Sequence, residues 1–306
     1  MTTTYDASTI KRARRTKAEI AGFRQSIHAI VEANRPCSAR QVYYLGIGVL
    51  WDKDTGGKRR NYNQVVHNLG VMRETGMLPW GWITDGTRYR RIPTMFDSLE
   101  DALERWQESY RRDLWSTQPR RVEVWAESDS VSGIIDSVTR TLGVGLFSCR
   151  GQASKTFAQD SAAEYAEVGK PVTICYVGDW DPSGLAITRS LEERLVRYSK
   201  GAVPIELERV ALTVEDVRSG GLTTHEVNTA DQNHKRYAET CRELGLDPNV
   251  STEVEALAPA TLRDRLEGRL YELVDNAEAW NATIDYERAE REQLRGFTTG
   301  GLSPVE

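Results

Sequence analysis

The sequence predicts an α/β fold: a Rossmann-like parallel sheet preceded by a smaller helical unit. Two observations predict it. Short β-branched runs alternate with amphipathic stretches between residues 121 and 212, the pattern of a parallel sheet with crossover helices. Two of those runs also end in acid. Arg121-Val-Glu-Val-Trp-Ala stops at Glu127, and Pro171-Val-Thr-Ile-Cys-Tyr-Val stops at Gly178-Asp179-Trp-Asp181. Open α/β sheets place their ligand crevices at the carboxyl ends of their strands.

The N-terminal third carries a different signal. Ser38-Ala-Arg40-Gln41 matches a capping box and opens a helix predicted over Ala39–Trp51. At 100° per residue Val42, Tyr43, Leu45, Ile47, Val49 and Leu50 fall on one apolar arc, while Tyr44 falls outside it beside Arg40. Tyr43 is therefore expected in the core, and Tyr44 is expected to be free for chemistry, with the Arg40 guanidinium one turn away to share a phosphate. A second helix over Tyr62–Thr75 ends at Gly76, a good C′ residue. Leu78 to Arg91 then reads as a strand, a glycine turn and a basic strand. Helices followed by such a hairpin describe a winged helix-turn-helix. An amphipathic run from Leu99 to Leu114 follows, and the polar Ser116-Thr-Gln-Pro-Arg120 is the expected seam. The expected domains are thus 1–115, carrying the tyrosine, and 116–306, carrying the acids.

In the second domain Val122, Val124 and Ala126 alternate with Glu123 and Trp125, as a strand requires. The next helix puts Val131, Ile134, Ile135 and Val138 on one face. A strand at Gly145–Cys149 and a helix from Ser154 to Val168 lead to the second acidic strand end. The helix after it begins near Asp181-Pro182, and a bland reading makes Asp181 merely its N-cap. A further strand, Pro204 to Leu212, a polar loop over 219–234 and C-terminal helices from about Ala260 to Val274 and Thr283 to Leu294 complete the chain. Glu127, Asp179 and Asp181 at two strand ends would repel one another without a cation between them, and oxygen-only donors suit a hard ion such as Mg²⁺. Asp129 is a candidate outer-shell acid.

These motifs together resemble a known family. Glu127 with Asp179-x-Asp181 resembles the TOPRIM domain signature, and Ser38-Ala-Arg40-Gln-Val-Tyr43-Tyr44 is similar to the motif around the nucleophilic tyrosine in the A subunit of DNA topoisomerase VI and its meiotic double-strand-break relatives. Met77-Leu-Pro-Trp80 and Asp85-Gly-Thr-Arg88 look most like the short bacterial and phage-type members. The resemblance runs from about Ser38 to Leu195 and more faintly to Trp280. It implies a winged-helix domain followed by a TOPRIM domain, and Mg²⁺-dependent cleavage of double-stranded DNA by transesterification. Tyr44 would form a 5′-phosphotyrosine link and Arg40 would assist. It further implies a homodimer in which one subunit's tyrosine meets the other's acids, and a separate GHKL-type ATPase subunit for strand passage. Ser128 stands where these relatives usually carry lysine. Two other readings stay open: a hydrolytic TOPRIM nuclease in which water replaces Tyr44, and a DNA-binding relative without activity.

Composition sets bounds. The chain has 306 residues and a formal charge of −5. Residues 1–120 hold 20 Lys+Arg against 13 Asp+Glu, net +7, and the remainder holds 20 against 32, net −12. A basic DNA-binding unit beside an acidic metal domain fits this asymmetry. The basic clusters expected on DNA are Lys58, Arg59 and Arg60, and Arg88, Arg90 and Arg91; Lys11 to Arg15 form a third. Phosphate contact without strong sequence preference is expected from them. Cys37, Cys149, Cys175 and Cys241 show no metal or disulfide spacing. No signal peptide, membrane span or phosphate-loop motif is evident, so a cytoplasmic, nucleoid-associated protein is expected.

Overall fold

The computed structural model describes residues 16–54, 59–84, 93–149 and 155–299. The N-terminal unit begins with α1 (Lys17–Asn34), whose Thr16 N-cap and Glu19 form a reciprocal capping box. A two-residue strand β1 (Cys37–Ser38) leads into α2 (Ala39–Leu45), and α3 (Arg60–Glu74) packs on both helices. Ile27, Val31, Val42, Tyr43, Val65, Leu69 and Met72 make its core. The Ser38–Gln41 capping box is present, with the Ser38 side chain accepting from the Gln41 N–H at 3.1 Å. Gly76 takes φ +74°, as the predicted end of α3 requires.

Two expectations are corrected here. The tyrosine helix ends at Leu45 rather than Trp51. Beyond Gly46 the chain turns back so that the Trp51 ring lies over Gly46, its Nε1–H donating to the Tyr43 carbonyl at 2.9 Å. Val49, expected on the apolar arc, is 82% exposed as a result. The strand expected from Leu78 is also shorter. After a 3₁₀ turn at Trp80–Trp82, β2 (Ile83–Thr84) is two residues long and pairs in parallel with β1. The glycine turn and basic strand, with Arg88, Arg90 and Arg91, lie outside the described residues.

The helix α4 (Leu99–Ser109) packs against the C-terminal helix, and Arg112 holds Glu290 there with two bonds of 2.7 Å. Gln118 is buried and clips Asn276 through both ends of its amide. The segment from α4 onward is therefore packed with the sheet unit. That unit is α/β: β3 (Arg121–Ala126), α5 (Asp129–Leu142), β4 (Gly145–Ser148), α6 (Lys155–Val168), β5 (Val172–Val177), α7 (Pro182–Tyr198) and β6 (Ile205–Ala211). The four strands are parallel in the order β4-β3-β5-β6. One layer of core joins Val122, Val124 and Ala126 to α5, and the opposite layer joins Trp125 to α6 and α7. The short α8 (Val214–Arg218) follows β6. Next, β7 (His225–Glu226) pairs antiparallel with β8 (Val250–Ser251), and α9 (His234–Glu243) lies between them in the chain. A 3₁₀ turn at Val254–Ala256 leads to α10 (Pro259–Glu272) and α11 (Ala277–Thr299). The predicted Thr283–Leu294 helix is thus longer at both ends. All four cysteines are buried. Among the described residues no helix is long and apolar enough to cross a membrane.

A Cβ at position 46 would stand 2.1 Å from the Trp51 ring. Gly46→Ala should therefore lower the unfolding free energy by about 1–3 kcal/mol, as overpacking does. An unchanged denaturation midpoint would show that the ring does not lie over residue 46.

Candidate functional site

The site is built at the carboxyl ends of the two central strands. β3 and β5 are neighbours, so Glu127 and Asp179 emerge on the same sheet edge, and the Glu127 carboxylate accepts the Asp179 N–H at 2.9 Å. Gly178 is the hinge of this approach, because a Cβ there would meet the Glu127 carboxylate at 2.5 Å. Asp181 caps α7, its Oδ1 accepting from the Gly184 N–H at 2.6 Å, with Pro182 in the first turn. The capping role anticipated for Asp181 is thus the one its Oδ1 performs. Its charge still reaches Glu127. Ser128 caps α5, and Asp129 sits in the first turn of that helix.

A third strand end completes the acidic cluster. Trp180 and Thr252 exchange backbone hydrogen bonds at 2.8 and 2.9 Å, which carries Glu253 and the 3₁₀ turn that follows it beside the Asp179 loop. The Val254 N–H then donates to Asp179 Oδ1 at 2.8 Å. From below, Arg209 on β6 donates to the carbonyls of Gly178 and Asp179 at 2.8 and 3.0 Å and to the Thr188 hydroxyl at 2.6 Å, fixing the loop from the next strand.

The tyrosine helix docks on this cluster within the same chain. Arg40 reaches Glu253 at 2.5 Å and Glu255 at 3.1 Å, and Lys53 reaches Glu253 at 3.3 Å. Ser38, the N-cap of α2, shares a 2.9 Å hydrogen bond with Ser130 of α5. Tyr43 is in the core as expected: it stacks on Trp51, and its hydroxyl accepts the Asp54 N–H at 2.7 Å. Tyr44 is not free as expected. It is only 7% exposed, because the helical projection counts neighbours within the helix and not the domain that lies across it. Arg40 and Lys53, which both hold the Glu253 carboxylate, lie 5.7 and 5.6 Å over the Tyr44 ring, and the ring faces His225 at 5.9 Å.

Beside the tyrosine is a cavity of about 380 Å³ lined by Arg40, Lys53, Arg59 and the rings of Tyr43, Tyr44 and Tyr62. Asp54 also lines it, and the three cations of the lining suit a phosphate. Arg59 and Arg60 are both exposed at the start of α3, while Lys58 lies outside the described residues.

Electrostatics follows from this crowding. Burial raises the Glu127 carboxyl, with Asp181 adding to the shift and the Asp179 N–H opposing it. Burial, then the charges of Glu127 and Glu255, push Asp179 well above the usual carboxylate range. Burial raises Asp181 as well, against its bond from Gly184. Burial acts to raise Glu253 too, but Arg40, the Tyr44 hydroxyl and Lys53 outweigh it and hold that carboxyl below its usual range. Burial, and then Glu253, push the Tyr44 phenol up. Burial and Lys53 lower His225 to about 4, so its ring is neutral at pH 7.

Among the described residues no three His, Cys, Asp or Glu side chains are gathered as a ready metal cage. The donor chemistry nonetheless suits a hard cation: Glu127 and Asp179 are oxygen donors held together at a cost in mutual repulsion that a cation would relieve. These two are the residues that would hold it.

Sequence reasoning missed Glu253, Glu255, Lys53 and Arg209. One signal was available: Glu253-Val-Glu255 repeats the acid-x-acid pattern of Asp179-Trp-Asp181 after another β-branched run, Val250-Ser-Thr252. Compared with known proteins, the chain matches no protein-family model and no curated protein.

The raised carboxyls set a pH dependence. A carboxyl whose folded pKa lies above its unfolded value binds its proton more tightly when folded, so stability falls as pH rises from about 4 through the folded value. In the presence of chelator, Glu127→Gln should flatten this fall and raise the melting temperature at pH 7. Identical melting curves for the two proteins across pH 4–8 would show that Glu127 and Asp179 do not repel one another.

Proposed function

We propose that the chain cleaves double-stranded DNA by tyrosine transesterification, with Tyr44 as nucleophile and Arg40 as phosphate ligand. In this reading the N-terminal unit is a winged helix and the sheet unit a TOPRIM domain. The observation that carries it is the meeting of Tyr44, Arg40 and Lys53 with the Glu127–Asp179 pair through one short segment, Thr252 to Glu255. A phenol with a pKa of about 10 is a weak nucleophile, and one buried against a carboxylate is weaker still. It attacks phosphorus only where cations offset the charge gathering on the phosphoryl oxygens. Arg40, Lys53 and Arg59 line the cavity from which a phosphodiester would meet the phenol.

The Tyr44 oxygen bonds to phosphorus as the bond from phosphorus to the 3′-oxygen breaks. The 3′-oxygen leaves with a proton and the 5′ phosphate stays on the tyrosine. A divalent ion held by Glu127 and Asp179 would supply further neutralisation of phosphoryl charge. The ester conserves the energy of the broken bond, so religation needs no other source. One site cuts one strand; a two-fold dimer would cut both, matching the symmetry of the duplex. The family resemblance implies that tyrosine and acids come from different subunits. The neighbourhood of Tyr44 and Glu253 within one chain favours a site assembled in cis, with the dimer supplying the second copy.

The burial of Tyr44 favours a second reading, a hydrolytic nuclease in which water attacks. The two part cleanly in a trapping experiment. Labelled duplex incubated with protein and Mg²⁺, then denatured, should carry a covalent adduct that Tyr44→Phe abolishes while duplex binding persists. Mg²⁺-dependent cleavage without adduct, unchanged in Tyr44→Phe, would select hydrolysis.

A further inference from the structure

We propose that Glu253 is a catalytic residue of this site, accepting the Tyr44 proton as the phenol oxygen bonds to phosphorus. The proposal rests on the transesterase reading and names a group that reading lacks, a base for the nucleophile.

Three features single out Glu253. Its carboxylate is gripped by Arg40 and Lys53, the two cations that lie 5.7 and 5.6 Å over the Tyr44 ring, which puts it beside the phenol. It is anchored on both sides: Arg40 and Lys53 grip it, and the Trp180–Thr252 bridge with the Val254–Asp179 hydrogen bond fixes its backbone. Those cations also keep it ionised, the form a base requires. The competing base is His225, a neutral ring at 5.9 Å that meets the ring of Tyr44 rather than its hydroxyl. Glu255 is buried and engaged by the Arg40 Nε at 3.1 Å. The charge of Glu253 in turn helps to raise Asp179 and Asp181.

A carboxylate is far less basic than a free phenolate, so it does not generate one in advance. As the Tyr44 oxygen bonds to phosphorus its proton becomes strongly acidic, and transfer to Glu253 accompanies bond formation. The proton passes from the phenol to the Glu253 carboxylate, and the departing 3′-oxygen takes one from water. In religation the same carboxylic acid returns its proton to the phenol oxygen as the phosphotyrosine bond breaks. Arg40 and Lys53, drawn toward the incoming phosphate, then sit between two anions and hold them together.

The trapping assay on labelled duplex tests this with E253Q, E253A and H225Q, each checked for a wild-type circular dichroism spectrum. E253Q should form adduct 10²–10⁴-fold more slowly, the usual range for a lost general base, while duplex binding is unchanged or tighter. Its rate should climb tenfold per pH unit between 6 and 9 where the wild type is flat, because hydroxide replaces the carboxylate. Formate should partly restore E253A, and H225Q should stay near wild type. An E253Q rate equal to or above wild type would overturn the proposal and make Glu253 a latch that restrains Arg40. So would a loss confined to H225Q, or a loss in E253Q with neither pH slope nor formate rescue. Absence of adduct in the wild type would instead count against the transesterase reading. The Glu253–Tyr44 contact is then read by ¹³Cζ-tyrosine NMR, with the Tyr44 signal assigned by Tyr44→Phe. E253Q must shift that signal and move its titration to lower pH, and an unmoved signal overturns the contact itself.

Discussion

The pair of backbone hydrogen bonds between Trp180 and Thr252 is the constraint on which the site depends. Each strand end alone offers an acid or two in a turn. The bridge brings a segment more than seventy positions away onto the Asp179 loop, and the Val254–Asp179 hydrogen bond closes the junction. Glu253 and Glu255 then flank that hydrogen bond on either side. The tyrosine helix has no carboxylates of its own, so its hold on the sheet unit runs largely through these two residues and through the Ser38–Ser130 contact. Without the bridge, Arg40 would lack its partners and Tyr44 would lose the carboxylate beside it.

Burial makes that junction selective. Buried carboxylates that repel one another are costly unless paired. Here the cluster divides into two parts. Glu253 is paired by Arg40 and Lys53 and held ionised, whereas burial and the charges of Glu127 and Glu255 push Asp179 toward its protonated form. Two neighbouring carboxylates with opposite shifts suit two roles, one as a base and one as a ligand whose cost a cation would remove. Arg209 serves a third purpose. It braces the carbonyls of the loop, which lets the Asp179 side chain point away from the sheet toward Val254.

Much of the sheet unit was legible because its signals are local. Val122, Val124 and Ala126 alternate with Glu123 and Trp125, and those residues divide between the two core layers as the period demands. Asp181-Pro182 announces the start of α7, and Ser38 with Gln41 announces that of α2. What escaped is whatever depends on contact across the chain. The helix projection could not register that Gly46 would let Trp51 fold back over it, so Val49, expected on the apolar arc, is exposed, while Leu50 still packs against the core. Nor could it register the domain lying across α2, which is why Tyr44 looked free. Glu253 and Glu255 carried a readable acid-x-acid pattern, but nothing local said which strand end they would join.

The charge asymmetry of the chain gains a different meaning from this junction. A net +7 N-terminal stretch before a net −12 remainder reads, from composition, as a DNA-facing surface beside a metal site. Part of that complementarity is instead satisfied internally, since Arg40 and Lys53 are engaged by acids of the same chain. A phosphate entering the cavity must compete with Glu253 and Glu255 for Arg40 before it gains a ligand. Affinity from these two cations is reduced by that competition, while Arg59 and Arg60, exposed at the start of α3, have no ion pair among the described residues. Exposed cations therefore suit capture of the backbone, and the paired ones suit discrimination at the reacting phosphate. In the proposed reading, a phosphodiester, with its anionic oxygens and matching geometry to guanidinium, is a group that can replace a carboxylate on Arg40 beside Tyr44.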